Sequence, residues 1–73
     1  ELDYVFIDGA HSYDGAKSDC LAFQPYVKKG GVIVVDDWWI DGVRNGTLDS
    51  GWDGWEAFEI PKYERQALVF IKL

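Results

Sequence analysis

The sequence contains no methionine and only one cysteine, Cys20. A single cysteine excludes an internal disulfide, the usual staple of small secreted domains. The chain begins at Glu1, and no basic stretch precedes an apolar run near its start, as one would in a secretory signal. We therefore expect a cytoplasmic protein, and we interpret the missing methionine as the sign of a fragment or a processed chain.

Long apolar runs and basic residues are also scarce. The longest apolar runs, such as Val32 to Val35, are far too short to span a bilayer, so we expect no membrane partner. Lys and Arg number 7 against 13 Asp and Glu, which gives a formal net charge of −6. Because an acidic surface repels phosphate backbones, we expect no nucleic acid partner, and cations are the more natural ligands.

The first residues have the pattern of a buried strand followed by a helix. Leu2 to Ile7 is rich in β-branched and aromatic residues and apolar on both faces, which is typical of a parallel strand. Ser12 or Asp14 can cap the helix that follows. Pro25 should end or kink this helix near Gln24, since proline lacks the amide donor.

A second strand follows the helix. Lys28 and Lys29 complement the dipole of a helix C-terminus, and Gly30-Gly31 predicts its left-handed cap. Val32 to Val35 is then a continuous apolar strand. A strand, helix and strand connected at this length predict a βαβ unit with parallel strands and a right-handed crossover.

The second half of the sequence predicts mainly antiparallel structure. A short helix is expected around Asp41 to Leu48. Trp55 to Ile60 alternates apolar and polar residues, which indicates a half-exposed strand, and Gln66 to Leu73 is a strongly apolar strand. With a turn at Pro61 to Glu64, these segments form a C-terminal β-hairpin. The predicted fold class is thus α/β, a parallel βαβ unit followed by a hairpin.

Acidic residues follow both predicted parallel strands. Asp8 ends the first, and Asp36 and Asp37 end the second. Adjacent parallel strands would place these two strand ends about 5 Å apart, so the carboxylates should converge at the edge where open α/β sheets bind ligands. Carboxylates this close either take up protons or hold a hard cation such as Mg²⁺, Mn²⁺ or Ca²⁺. Alternatively, each Asp only caps a turn, as Asp often does.

His11 lies three residues beyond Asp8, in the same loop. Beside a metal site it is a candidate general base, because the unperturbed pKa of histidine lies near neutrality. On a loop alone, a histidine is more often a surface residue or a cap.

Two tryptophans, Trp38 and Trp39, directly follow the Asp pair. They could line a substrate pocket by stacking and apolar contact, or they could only cover the end of the sheet. The structural role is favoured, because aromatic side chains usually serve packing first. For Trp52 and Trp55 packing is favoured more strongly still.

Taken together, these motifs resemble a known family. The segment Phe6 to Tyr13, a helix with Asp19, and the segment Lys29 to Asp37 resemble the fourth strand, fourth helix and fifth strand of class I methyltransferases. The resemblance is strongest to the methyltransferase-24 branch, with relatives among metal-dependent sugar and catechol O-methyltransferases. Gly42-Val43-Arg44 looks like the next helix of that family, and residues 55–73 like its sixth and seventh strands. The implied fold is the C-terminal half of a Rossmann-like methyltransferase sheet.

The resemblance also implies a chemistry. Asp8, Asp36 and Asp37 match the positions that hold a divalent metal, with Mg²⁺ expected, and His11 matches the catalytic base of the sugar-modifying relatives. The metal would bind two oxygens of a small hydroxylated acceptor and lower the pKa of the hydroxyl. His11 would remove the proton, and the oxygen would attack the methyl group of S-adenosylmethionine.

The sequence departs from the family in one respect: the three strands and Gly-rich loop that bind S-adenosylmethionine have no counterpart in it. We therefore expect cofactor binding and activity only in a full-length protein, and an inactive 73-residue chain. The bare edge at residues 4–7 predicts self-association. Two alternatives are a stand-alone, non-catalytic binding or assembly module, and a phosphoryl-transfer pocket like that of response regulators, which the strand spacing fits less well.

Overall fold

A computed structural model describes residues 1–8, 11–62 and 65–73, with the backbone alone at positions 61, 62 and 65. Tyr63 and Glu64 of the predicted turn at Pro61 to Glu64 lie outside the described residues, as do Gly9 and Ala10. No helix in the described part of the chain is long and apolar enough to cross a membrane. The elements run in the order β1 (Leu2–Ile7), α1 (Tyr13–Phe23), a 3₁₀ turn (Gln24–Tyr26), β2 (Val27–Val35), α2 (Asp41–Leu48), β3 (Trp55–Lys62) and β4 (Arg65–Lys72).

Four strands form one mixed sheet in the order β1-β2-β4-β3. β1 and β2 are parallel, with Ile7 opposite Val35, and α1 connects them. β4 runs antiparallel to β2 and carries β3 on its outer side. The predicted α/β fold, with a parallel pair joined through a helix and a C-terminal hairpin, is confirmed. β1 and β3 are the two edges of the described sheet.

Both helices pack on the same face of the sheet. In paired strands, residues directly opposite each other share a face, and the register brings alternate residues of β1, β2 and β4 into one apolar layer. α1 contributes Ala16 and Cys20 to this core, and α2 contributes Val43. The strand residues of the covered face are Val5, Ile7, Ile33, Val35, Leu68 and Phe70.

The opposite face, which we call the open face, has no helix on it among the described residues. Its outer strands carry large apolar side chains with considerable exposure, at 59% for Tyr4, 46% for Phe6 and 48% for Phe58. Sheets with parallel strands are usually covered on both faces. The open face is instead exposed to solvent, although its side chains are largely apolar. The open face consists of Tyr4, Phe6, Val32, Val34, Phe58, Val69 and Ile71.

The end of α1 and the start of β2 differ from the sequence prediction. α1 ends at Phe23, and β2 already begins at Val27, so the predicted cap of the helix by Lys28 to Gly31 is wrong. Gly30 does adopt a left-handed φ of 82°, but it does so inside β2. There the pairing with β1 shifts register, which is the geometry of a β-bulge, and glycine accommodates it without a Cβ penalty.

Candidate functional site

The carboxyl ends of the two parallel strands lie side by side, as predicted. Ile7 is paired with Val35, and the Asp36 amide donates to the Ile7 carbonyl oxygen at 3.0 Å. The residues that follow these strands, Asp8 on one side and Asp36-Asp37 on the other, therefore begin at the same edge of the sheet. This is the edge at which open α/β sheets bind ligands.

Three side chains from this edge form a compact group of potential metal ligands. Asp8, His11 and Asp37 each offer one donor atom, and the three atoms lie within 4.8 Å of one another. His11 Nε2 is 2.7 Å from Asp37 Oδ2, a short hydrogen bond across 26 residues of sequence. Asp8 and His11 are exposed to solvent, whereas Asp37 is buried. The group thus combines one buried carboxylate with two accessible ligands.

The backbone at Asp37 turns sharply to reach this position. Its φ of 56° is the only left-handed value of a non-glycine residue in the described part of the chain. Asp tolerates this conformation better than most residues, but it still carries strain that often marks functional positions. The Ile40 amide donates to the Asp37 carbonyl at 3.0 Å, and the Trp38 amide donates to Gln66 of β4 at 2.9 Å. Two hydrogen bonds therefore hold the strained turn in place.

Asp36 occupies a different place from its neighbour. Its side chain is also buried, but it does not belong to the group formed by Asp8, His11 and Asp37. β2 has already ended at Val35, and the left-handed turn at Asp37 sets its side chain apart from that of Asp36, so only Asp37 joins the group. The structure thus brings together two of the three expected metal ligands, and it adds His11, for which the sequence suggested the role of base.

The donor set fits a divalent cation. Metal–ligand distances of about 2.0–2.6 Å allow two ligands of one ion to lie up to about 4–5 Å apart, and the donor atoms here lie within 4.8 Å. Carboxylate oxygens suit Mg²⁺, Mn²⁺ and Ca²⁺, whereas an added imidazole favours Mn²⁺ and later transition metals. The residues are therefore compatible with Mg²⁺ held by oxygen atoms, and with Mn²⁺ if His11 also binds.

The two tryptophans after the Asp pair have separate environments. Trp38 is only 4% exposed and belongs to the core, whereas Trp39 is 53% exposed. Trp39 is thus the one of the two that a ligand can reach. Trp52 stacks on Phe70 with ring centroids 3.5 Å apart and meets Trp55 edge-on at 5.1 Å, so these two serve packing as expected.

Sequence reasoning missed one polar contact near the site. The Tyr13 hydroxyl donates to Asp49 Oδ2 at 2.6 Å and so ties the start of α1 to the end of α2. This hydrogen bond to a carboxylate raises the pKa of the Tyr13 phenol, and slight burial adds to the effect. The residues are 36 positions apart, and nothing in the local pattern pairs them.

Comparison with known proteins supports a specific family. The profile of a family described as a methyltransferase domain matches residues 1–38, which contain β1, α1, β2 and the Asp pair. The uncharacterized protein R132 of Acanthamoeba polyphaga mimivirus is 46% identical over 37 residues, which make up 51% of this chain. The matched segment spans only 17% of the length of that viral protein.

Proposed function

Because this chain belongs to a family of methyltransferase domains, we propose that it forms the acceptor-activating part of an S-adenosylmethionine-dependent O-methyltransferase. The acceptor is a small hydroxylated molecule. The observation that carries the proposal is the grouping of Asp8, His11 and Asp37 at the carboxyl edge of the parallel pair. An edge lined by two carboxylates and an imidazole provides what the deprotonation of a hydroxyl requires.

In this proposal Asp8 and Asp37 hold a divalent cation, with Mg²⁺ the expected ion. Bound there, the cation would supply a Lewis acid that lowers the pKa of an acceptor hydroxyl. The buried Asp36 adds negative charge directly beside Asp37 and favours a cation at this edge. This assignment retains all three predicted carboxylates, but it gives direct contact with the ion to only two of them.

His11 is the proposed base. When the neutral imidazole donates from Nε2 to Asp37 Oδ2, at 2.7 Å, the ring keeps Nδ1 as its proton acceptor. Asp37 then orients the ring and stabilises the positive charge that proton uptake creates, as a carboxylate does for histidine in other catalytic groups. With its side chain 57% exposed, His11 is accessible to an acceptor from solvent.

Trp39 is the proposed contact for the acceptor. It is exposed and lies two residues beyond Asp37, in the turn closed by the Ile40 amide. An indole ring offers a broad apolar surface for a planar or ring-shaped molecule. Trp39→Ala should weaken the binding of a model diol, measured by calorimetry with Mg²⁺ present, and leave the affinity for Mg²⁺ itself unchanged.

We further propose that β1 to β4 correspond to strands four to seven of the methyltransferase sheet. The family match covers the βαβ unit, and the chain spans a small share of the relative it matches. The residues that bind S-adenosylmethionine would then lie in polypeptide outside this sequence. Tight binding of S-adenosylmethionine to the 73-residue chain, measured by calorimetric titration, would contradict this assignment.

A matched pair of variants tests the site. Asp37→Asn removes a buried ligand charge, and we expect it to weaken binding of Mn²⁺ at least about tenfold, as the loss of a group that supports a metal site typically does. Asp53→Asn makes the same chemical change at an exposed residue of the turn before β3, so its affinity should equal that of the unmodified chain. Equal affinity of all three proteins for Mn²⁺, measured by calorimetry, would reject the proposed site.

A second candidate function is a non-catalytic binding or assembly module. The observation that favours it is the position of β1 at an edge of the described sheet, with Leu2, Tyr4 and Phe6 exposed. In that case the edge strand would pair with a second copy, and the acidic group would serve no reaction. The two functions are compatible in one chain, but only the first depends on His11.

A further inference from the structure

Two glycines of α2 lie directly against the backbone at the start of α1. Gly42 and Gly46 are four residues apart and therefore lie on one side of the helix. A Cβ atom built on Gly46 would overlap the Tyr13 carbonyl oxygen and lie 3.0 Å from the Tyr13 carbonyl carbon. A Cβ atom on Gly42 would lie 3.1 Å from the Tyr13 nitrogen. Both obstacles are backbone atoms, which cannot rotate away as a side chain can.

Gly42 and Gly46 are needed because a side chain would not fit between the helices, not because the backbone there requires glycine. Among the described glycines the left-handed φ values belong to Gly30, Gly51 and Gly54, so Gly42 and Gly46 adopt φ values open to any residue. Glycine inside a helix is unfavourable relative to alanine. Two glycines in a helix of 8 residues are therefore a cost that the close approach to Tyr13 explains.

The segment in contact with these glycines continues directly into the candidate site. Tyr13 is the first residue of α1 and lies two positions after His11. Ser12 between them caps the helix, with its Oγ accepting from the Gly15 amide at 3.1 Å and its carbonyl from the Ala16 amide at 3.0 Å. Because Ser12 is held by these two hydrogen bonds, a displacement of Tyr13 also moves His11.

On the other side of the contact, α2 is connected through Ile40 to Asp37. α2 begins at Asp41, and the Arg44 amide donates to the Ile40 carbonyl at 3.0 Å. Ile40 in turn closes the turn that begins at Asp37. The two halves of the site, His11 on the α1 side and Asp37 on the α2 side, are therefore joined by a second short route besides the pairing of β1 with β2.

We propose that Gly42 and Gly46 are positioning residues that set the distance between His11 and Asp37. A methyl group on Gly46 forces α2 away from Tyr13 until the contacts return to the ordinary 3.4–4 Å. A hydrogen bond of 2.7 Å does not survive a comparable displacement, because hydrogen bonds weaken steeply beyond about 3.2 Å. The catalytic purpose of the distance between His11 and Asp37 rests on the proposed function. The control of that distance by the two glycines does not.

The chain is well suited to a direct test, because His11 is its only histidine. Its imidazole nitrogens and ring protons give one set of NMR signals, which report the hydrogen bond to Asp37 without any metal present. In Gly46→Ala we expect these signals to move to the positions of a solvent-exposed imidazole. The affinity for Mn²⁺ should fall about tenfold, the scale at which supporting groups affect metal sites.

Val43→Ala is the matched control, since it lies on the same helix and truncates a buried core residue. It should lower the thermal midpoint, yet leave the His11 signals unchanged and the affinity for Mn²⁺ within about twofold, well inside the effect of a supporting group. If Gly46→Ala does not fold, Gly42→Ala replaces it, because its Cβ needs only a small shift. The proposal is overturned if the glycine variant keeps the His11 signals of the unmodified chain. If the unmodified chain binds no Mn²⁺, but the His11 signals still move in the glycine variant as expected, only the proposed function fails.

Discussion

Tyr13, two residues beyond His11, has a phenol whose pKa is raised in the folded chain. Its hydroxyl donates to Asp49 Oδ2, and this bond raises the pKa of the phenol. A group whose pKa is higher in the folded than in the unfolded state contributes its full stabilisation at pH values below its unfolded pKa, which is about 10 for tyrosine. The contribution is lost as the pH rises through the folded value.

Unfolding by urea at two pH values measures this contribution. Between about pH 9 and about pH 11, the window around the phenol's ordinary pKa, the unmodified chain should lose more free energy of unfolding than Tyr13→Phe. The Asp3–Lys28 ion pair is present in both proteins, so its contribution to the pH dependence cancels in the comparison. Identical losses in the two proteins would mean that Tyr13 and Asp49 do not interact in solution.

At this scale the sequence predicted the site in part. The strand-end positions of Asp8, Asp36 and Asp37 follow from the apolar runs before them, and these positions are as expected. The choice of Asp37 over Asp36 depends on the left-handed turn at Asp37 and its bond to His11. Both arise from tertiary contacts, which no local pattern of residues encodes.

Among the elements, α1 has a start that the sequence specifies well. The sequence offers Ser12 and Asp14 as caps, and the Ser12 Oγ accepts from the Gly15 amide at 3.1 Å. Loss of such a cap typically costs about 1 kcal/mol, within a range of about 0.5–2. Ser12→Ala should lower the free energy of unfolding by that amount, measured by urea denaturation.

Ser18→Ala gives the matched control for the cap. Ser18 is exposed in the middle of the same helix, where alanine is the better helix former. Its stability should stay within about 0.5 kcal/mol of the unmodified chain. Equal effects of the two substitutions would remove the capping role of Ser12.

The end of α1 is harder to predict, because the same residue pattern is compatible with a helix cap and with a bulged strand. A Lys-Lys-Gly-Gly segment after a helix is typical of a C-terminal cap, and Gly30 indeed has a positive φ. In the folded chain, however, β1 offers hydrogen bonds from Leu2 onward, and β2 extends back to Val27 to pair with it. Pairing with a neighbouring strand thus outweighed the local preference.

For the molecule as a whole, the uneven covering of the sheet is the main feature. Both helices lie on one face, and the open face carries Tyr4, Phe6 and Phe58 in contact with solvent. The apolar alternation predicted the strands but not their order, because β4 lies between β2 and β3. Which strands become edges follows from this order.

Self-association through β1 is the prediction at this scale. Lysine on an edge strand opposes pairing with another chain, so Phe6→Lys should convert a dimer to a monomer in sedimentation velocity. Phe58→Lys places the same charge on β3, the opposite edge, and should leave the dimer intact. A monomeric unmodified chain would contradict the prediction, and loss of the dimer in both variants would assign association to the open face instead.

The proposed function depends on one cation held by Asp8 and Asp37 beside His11, and paramagnetic Mn²⁺ tests this site most directly. Added in small amounts to the isotope-labelled chain, Mn²⁺ should broaden the NMR signals of His11 and of the amides of Asp8 and Asp37 first. Val27, at the other end of β2, should remain sharp, and Asp37→Asn should abolish the effect. Broadening spread evenly over the exposed acidic residues, or unchanged in Asp37→Asn, would contradict the account.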